Sequence, residues 1–181
     1  MIAGSIARRY AKALVDVAAA SNELEAVHQE LTTLADGLRE HRDLRRVLAN
    51  PSILRRDKVQ ILDGVVLRLA LRPLTGSFLR ILLEAGRLLA LDSVLRAYEA
   101  LLDERLGRVK AMVTTAVPLG AEVQEHLRQR LEQMTGKTAY LEVKQDPTIL
   151  GGLVTQMGSL VYDGSLRTRL ARLREEMVRG A

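Results

Sequence analysis

The spacing of apolar side chains changes once along this chain of 181 residues, at Arg108. Before that point apolar residues recur at intervals of three and four, which is typical of amphipathic helices. From residue 108 to residue 117 they alternate with polar residues, which indicates a half-buried strand. The sequence therefore predicts a mainly α protein with a smaller α/β part, in two domains of residues 1–107 and 108–181.

Six short helices are predicted in the first domain, and their linkers are too short for anything but a compact six-helix bundle. Ser5 is expected to cap the first helix, and Asn22–Glu25 to begin the second as a capping box. Pro73 suits the first position of the fifth helix. The positions expected to face inward are Ile6, Tyr10, Ala13, Leu14 and Val17 on the first helix and Leu74, Phe78, Ile81, Leu82 and Ala85 on the fifth.

A small α/β arrangement is predicted after the first strand. A helix ended by Gly136 leads to a second strand at 138–144, and a hairpin around Gly158 joins two short strands. Ser165 is expected to cap a last helix. The side chains expected to be buried on these two helices are Val123, Leu127, Leu131, Met134, Leu166, Leu170, Leu173 and Met177.

The charge balance bears on the class of partner. A formal charge of +5 suits an acidic partner, a membrane surface or nucleic acid. The excess is divided, however, with 16 basic and 14 acidic residues in 1–107 and 11 and 8 in 108–181. Trp is absent and Phe occurs once, so little is available to stack on bases. A mixed-charge, solvated surface is favoured, and the open alternative is a basic helical adaptor that binds nucleic acid or a regulatory partner.

No residues have the spacing of a catalytic, cofactor or metal site. His28, His41 and His126 are scattered, whereas a metal needs three or four convergent donors, and cysteine is absent. Gly151-Gly152 lacks the lysine of a phosphate loop and is interpreted as a strand entry or bulge. Asp163–Ser165 has no neighbouring histidine to act as a base and is interpreted as a helix cap. The sequence predicts a binding protein, not an enzyme, with no cofactor.

Six segments together resemble one known family. They are ARRYAKAL (7–14), NPSILRRDKVQIL (50–62), FLRILLEAGRLLAL (78–91), VTTAVPL (113–119), DPTILGG (146–152) and GSLVYDGSLRTRL (158–170). In order and spacing, over essentially the whole chain, they resemble the delta subunit of bacterial F-type ATP synthases. The mitochondrial relative of that subunit is the oligomycin sensitivity-conferring protein.

The resemblance implies a non-catalytic stator subunit that holds the catalytic head to the b-subunit stalk during proton-driven ATP synthesis. In that family the helical bundle takes the N-terminal helix of an alpha subunit in a groove between its first and fifth helices. Ordinary bundle core is the alternative interpretation of the apolar residues there. Carried over to this sequence, the groove residues are Ala7, Tyr10, Ala11, Leu14, Phe78, Leu79, Leu82 and Leu83. The C-terminal domain would bind the stalk, with Arg167 and Arg172 as candidate contacts.

The membrane is expected to be reached only through partners. No apolar run approaches the ~20 residues that a membrane-spanning helix needs, and nothing before the first helix resembles a signal or transit peptide. These features favour a bacterial member, peripheral on the cytoplasmic face of the inner membrane, and nucleic acid is not expected as a partner.

Overall fold

The computed structural model of the protein describes residues 2–147, 149, 151–158 and 160–170. The chain is mainly helical and carries a small four-stranded mixed sheet. It divides into two compact units, residues 1–102 and 103–181. The helices that begin in the first unit are α1 (Ile2–Ala20), α2 (Leu24–Glu40), α3 (Arg42–Ala49), α4 (Arg55–Arg68), α5 (Pro73–Glu84) and α6 (Leu91–Arg105), with a 3-10 turn at Leu88–Ala90.

Two helix starts differ from the sequence prediction. Ser5 does not cap α1, because the helix already begins at Ile2 and Ser5 lies inside its first turns. Asn22 does not cap α2: it has φ +58 and is the left-handed residue that ends α1. The Glu23 N–H donates back to the Ala18 oxygen at 2.8 Å, which is typical of a helix C-terminus. Asparagine tolerates that conformation, so Glu23 takes the N-cap position without a side-chain cap bond.

The buried side chains of α1 to α6 belong to one hydrophobic cluster, which is aliphatic apart from Phe78 and Tyr98. The hydroxyl of Tyr98 donates to the backbone oxygen of Leu24 at 2.9 Å. Burial raises the pKa of Tyr98 to about 12, because the charged phenolate would lose its hydration. An aliphatic cluster of this kind agrees with a sequence that has no Trp and a single Phe.

Four positions predicted to face this core are exposed instead. They are Ala13 and Val17 on α1, Ile81 on α5, and Ala85 at the end of α5. On α1 the core positions are taken by Val15 and Ala18. Successive helical residues are rotated by about 100°, so Val17 points away from that face. On α1 each buried position therefore follows a predicted one by a single residue.

The second unit contains β1 (Arg108–Thr115), α7 (Ala121–Thr135), β2 (Thr138–Gln145), β3 (Leu153–Met157) and β4 (Leu160–Asp163). The strand order is β2-β1-β3-β4, with β1 and β2 parallel and the other two pairs antiparallel. The α7 helix makes the crossover that a parallel pair requires and ends at Gly136, which has φ +66. The core cluster of this unit contains Ala111, Leu131, Ala139 and Met157.

Several apolar side chains of this unit are exposed where burial was predicted. Val117 lies beyond β1, which ends at Thr115. Val123 and Met134 of α7 are exposed because only the part of the helix around Leu127 and Leu131 packs on the sheet. A helix that crosses a short sheet can bury only the residues that lie over the strands.

The chain enters β3 through two glycines with positive φ, Gly151 and Gly152. The Gly151 oxygen accepts a hydrogen bond from the Leu166 N–H at 3.0 Å, and the Leu153 oxygen accepts one from the Gly164 N–H at 2.9 Å. The interpretation of the glycine pair as a strand entry is therefore confirmed.

The Ser165 hydroxyl accepts a 3.4 Å hydrogen bond from the Thr168 N–H, which confirms Ser165 as a cap for the helical residues 166–170. Leu166 and Leu170 are exposed, against the prediction. The predictions for Leu173 and Met177 lie outside the described residues.

Candidate partner-binding surfaces

The residues carried over for the groove lie mostly inside the first unit. Seven are buried in its own hydrophobic cluster, and Tyr10 is half-buried against it. Leu79, Leu82 and Leu83 in particular are covered by the protein itself, as expected of ordinary bundle core. The buried residues are Ala7, Ala11, Leu14, Phe78, Leu79, Leu82 and Leu83.

The packing of α5 explains this burial. The helix contacts α2 on one side and α4 on another, so it is covered over a wide arc. Gly76 allows α4 to come close, since a β-carbon there would lie 3.2 Å from Cγ1 of Val66. A helix enclosed by two neighbours buries a wider stripe than a surface helix.

Both helices nevertheless present apolar side chains to solvent. Val17 is 53% exposed on α1, in line with half-buried Tyr10 and exposed Ala13 at helical spacing. Ile81 is 52% exposed on α5, four residues after exposed Ser77. These surfaces were not predicted from the sequence. The apolar pair Val15 and Ala18, which are three residues apart, indicates that the core face of α1 lies to one side of Val17.

A half-buried carboxylate fixes the start of α5. Glu30 of α2 accepts hydrogen bonds from the backbone N–H and the guanidinium of Arg72, at 3.2 and 3.1 Å, and from the hydroxyl of Thr75. Its side chain is only 15% exposed. Towards the other end of α5, the Arg80 guanidinium donates a hydrogen bond to Asp63 of α4 at 2.8 Å. These ties set the position of α5, and with it the direction in which Ile81 points.

The second unit exposes a different apolar surface. All four residues of the edge strand β4 are exposed, including Leu160, Val161 and Tyr162. Exposed Leu166 and Leu170 follow, beside exposed Arg167; Arg172 lies outside the described residues. At the opposite edge, β2 carries charged Glu142 and Lys144, the usual protection of an edge strand. The missed signal was the run of β4, which does not alternate with polar residues.

In the described part of the chain, no three histidine, aspartate or glutamate side chains are grouped so that they could hold a metal. None of the helices there combines the length and the apolar character of a membrane span. An electrostatic cluster lies on α7, where hydrogen bonds from Arg128 and Gln129 lower the pKa of Glu125 to about 2. Its ion pairs run along one helix face, between residues three and four apart.

The sequence is similar to known proteins over almost its full length. The family model described as ATP synthase delta (OSCP) subunit matches residues 6–177. The ATP synthase subunit delta of Anaeromyxobacter sp. (strain Fw109-5) is 43% identical over 177 residues, covering 98% of this chain and 99% of that protein. The subunit delta of Myxococcus xanthus (strain DK1622) is 38% identical over 179 residues, covering 98% of each.

The fold is also similar to a solved structure. A chain of the Toxoplasma gondii mitochondrial ATP synthase hexamer superposes with a TM-score of 0.74 and 28% sequence identity, covering 95% of this chain and 97% of that one. The similarity extends through both the helical region and the sheet. The chain belongs to the ATP synthase delta (OSCP) subunit family, a structural subunit of F-type ATP synthases.

Proposed function

We propose that this protein is the stator subunit that joins the catalytic head of a bacterial F-type ATP synthase to its b-subunit stalk. The observation that carries the proposal is the full-length similarity to bacterial delta subunits, at 43% identity for one of them. A joint of this kind resists the torque of the rotor while proton flow drives synthesis. The protein contributes binding surfaces and performs no hydrolysis or proton transfer itself.

The first surface would receive the N-terminal helix of an alpha subunit on a six-helix bundle. Exposed Val17 and Ile81, with Ala13 and half-buried Tyr10, supply apolar and small side chains on α1 and α5. An amphipathic helix is the partner that suits such stripes, because its own apolar face fills the space between them. The buried residues Leu14 and Leu82 would then support the groove from beneath and would not touch the partner.

The second surface would receive the end of the stalk. Exposed apolar residues of β4 and the exposed Arg167 nearby suit a partner segment that is apolar and acidic. Arg172 is proposed as a second contact of the same kind. Because an exposed ion pair contributes about 0.2–1 kcal/mol and is screened by salt, the arginines would orient the stalk and the apolar contact would supply most of the affinity.

The two surfaces are proposed to belong to separate domains, 1–107 and 108–181. Gly107 has φ +62 and lies between the end of α6 and the first residue of β1. Only a residue that tolerates a left-handed backbone suits such an abrupt change of direction. The proposed location is the cytoplasmic face of the bacterial inner membrane, reached through the partner subunits.

The test is a strain that lacks this protein and is complemented with a tagged copy. The tagged chain should retrieve the alpha and b subunits together, and in its absence the catalytic head should be released from washed membranes. ATP synthesis driven by a proton gradient should fall with it. Unchanged synthesis and membrane-bound heads in the deletion strain would refute the stator function.

A further inference from the structure

The positive charge of the first unit is concentrated in one segment. Residues 42–58 contain six basic and two acidic side chains, a net charge of +4 in a chain whose total is +5. Averaging over residues 1–107 hides this, because acidic residues elsewhere in the unit offset it. We name this surface the α3–α4 corner, after Arg42, Arg45 and Arg46 of α3 and Arg55, Arg56 and Lys58 of α4.

The linker between the two helices folds tightly enough to make a corner. The Ser52 N–H donates to Oδ1 of Asn50 at 2.9 Å, and the Ile53 N–H donates to the Asn50 oxygen at 3.3 Å. Such turns hold their first and fourth α-carbons within about 7 Å. The last turn of α3 and the first turn of α4 therefore lie near each other, which brings the basic residues of the two helix ends into the same region of the unit.

The charge at this corner is not neutralised by the protein. Arg46 reaches Asp43 only at 4.0 Å, with both side chains almost fully exposed. Arg56 pairs with its neighbour Asp57 at 3.3 Å. Within the described residues, no ion pair is formed by Arg42, Arg45, Arg55 or Lys58. By contrast, Arg39 contacts Asp36 and Asp92 at 2.7 and 2.6 Å.

The stability of α4 does not explain this arrangement. The first turn of α4 carries three cations and one acidic residue, Asp57, so its net charge is positive and opposes the helix dipole, which favours acidic side chains there. The N-cap residue is Leu54, which makes no side-chain cap bond and is 56% exposed. Serine, threonine, aspartate or asparagine would stabilise this position better. The positive first turn and the missing side-chain cap both depart from what stabilises the start of a helix. Such departures grouped in one place are typical of a functional surface.

We propose that the α3–α4 corner binds an acidic segment of another ATP synthase subunit, distinct from the helix docked on α1 and α5. The carboxylates of that segment pair with the arginines, and an apolar side chain covers Leu54. Charge complementarity identifies the partner, since the corner offers positive charge around one apolar contact. This inference rests on the proposed stator function, because the partner is a component of the same complex.

Other occupants fit less well. Nucleic acid would need stacking side chains, and residues 42–58 contain no aromatic residue. A second copy of the chain in a two-fold dimer would place the same basic surface against itself, which costs free energy. A membrane-surface helix needs an apolar face, whereas Leu54 is the one exposed large apolar side chain of the corner among the described residues.

The test uses the full-length protein in the assembled synthase with a photoreactive residue, Leu54→p-benzoylphenylalanine. The same residue at Gln60, an exposed position further along α4, is the matched control. Position 54 should cross-link to a peptide rich in aspartate and glutamate from another subunit, at a yield about tenfold above position 60. Capture of lipid, nucleic acid or a second copy of this chain from position 54 would overturn the proposal.

A third reporter separates this inference from the proposed function. Val17→p-benzoylphenylalanine should cross-link to the alpha subunit in the same preparation. If position 17 cross-links and position 54 does not, the corner is not a docking surface although the stator function holds. If neither position cross-links to a synthase subunit, the corner proposal fails, and release of the catalytic head in the deletion strain decides whether the stator function fails with it.

Charge reversal provides an independent measurement. The triple variant R45E/R46E/R55E should lower the cross-link yield from Leu54→p-benzoylphenylalanine about tenfold, more so at low ionic strength. The fold should survive, because all three side chains are exposed and a glutamate at position 55 agrees with the helix dipole at the start of α4. R87E/R96E/R130E changes the net charge equally at exposed positions outside the corner. An equal loss in both triple variants would show a general charge effect and refute a specific surface.

Discussion

Gly152 lies so close to the backbone of Gly164 that a β-carbon at Gly152 would overlap the carbonyl oxygen of Gly164 and come within 3.0 Å of Cα of Ser165. Here the start of β3 meets the chain that leaves β4, and the Leu153 oxygen accepts the Gly164 N–H between them. The two ends of the hairpin are therefore in direct backbone contact, with no room for a side chain between them. The glycine pair has a structural role in the second unit.

The first prediction is that Gly152→Ala destabilises the second unit more than Gly136→Ala. Both glycines have positive φ, which costs alanine about 1–2 kcal/mol. At Gly136 an added β-carbon meets nothing within 4 Å, whereas at Gly152 it meets backbone. Unfolding in urea should show a loss of about 3 kcal/mol or more for Gly152→Ala. Equal losses in the two variants would mean that the close approach to Gly164 is unimportant.

The second prediction concerns two threonines on the buried face of the sheet. The hydroxyl of Thr155, a residue 3% exposed, has no hydrogen-bond partner. Thr155→Val should stabilise the protein by about 1 kcal/mol, because a buried polar group without a partner is removed. Thr115 is equally buried, but its hydroxyl donates to the Val117 oxygen at 2.9 Å. Thr115→Val should therefore destabilise by about 1 kcal/mol.

Chemical denaturation of the two valine variants checks this pair, with the midpoint compared at a constant slope of free energy against denaturant. The prediction rests on the opposite signs of the two changes. A loss of stability in Thr155→Val as large as that in Thr115→Val would contradict it.

Periodicity and helix-ending residues predicted the order and type of the elements well. Pro73 and Gly136 mark the beginning of α5 and the end of α7 as expected, because both act through the local backbone. The change of period at Arg108 coincides with the first residue of β1. The resemblance of six segments to delta subunits likewise predicted the family that the full-length comparisons identify.

The exposure of particular side chains could not be predicted in the same way. Ile81 and Leu82 are adjacent aliphatic residues of the same size on α5, yet Ile81 is half exposed and Leu82 is fully buried. Which of them faces inward depends on where α2 and α4 lie, and that is a tertiary property. The basic α3–α4 corner was not predicted for a related reason. Its basic residues occur as short, separate groups in the sequence, and only the turn at Asn50 brings the two helix ends together.

The third prediction concerns the carboxylate that fixes α5. Glu30→Gln should destabilise the protein by about 1.5–3 kcal/mol, since hydrogen bonds to a charged group from Arg72 and Thr75 are weakened at once. Glu23 also pairs with Arg72, at 3.3 Å, but it is more exposed. Glu23→Gln should change stability by less than about 1 kcal/mol. Thermal and urea unfolding of the two variants measure the difference. A larger loss of stability in Glu23→Gln than in Glu30→Gln would show that Glu30 is not the residue that anchors α5.

The last prediction distinguishes the exposed stripe from the core beneath it. Val17→Asp and Ile81→Asp should leave the circular dichroism and the urea midpoint nearly unchanged, because surface substitutions away from special features change stability by about 0.5 kcal/mol or less. Each should nevertheless weaken binding of a synthetic alpha N-terminal peptide to the full-length protein, measured by calorimetry. A carboxylate would otherwise be buried against the apolar face of that helix.

Leu14→Asp serves as the contrast, because Leu14 is buried and an unpaired carboxylate there should unfold the first unit. Loss of binding in that variant would then carry no information about the contact surface. If Val17→Asp and Ile81→Asp both fold normally and bind the peptide as tightly as the unaltered protein, the alpha helix docks elsewhere. A folded Leu14→Asp protein that has lost peptide binding would return the site to the residues carried over from the sequence resemblance.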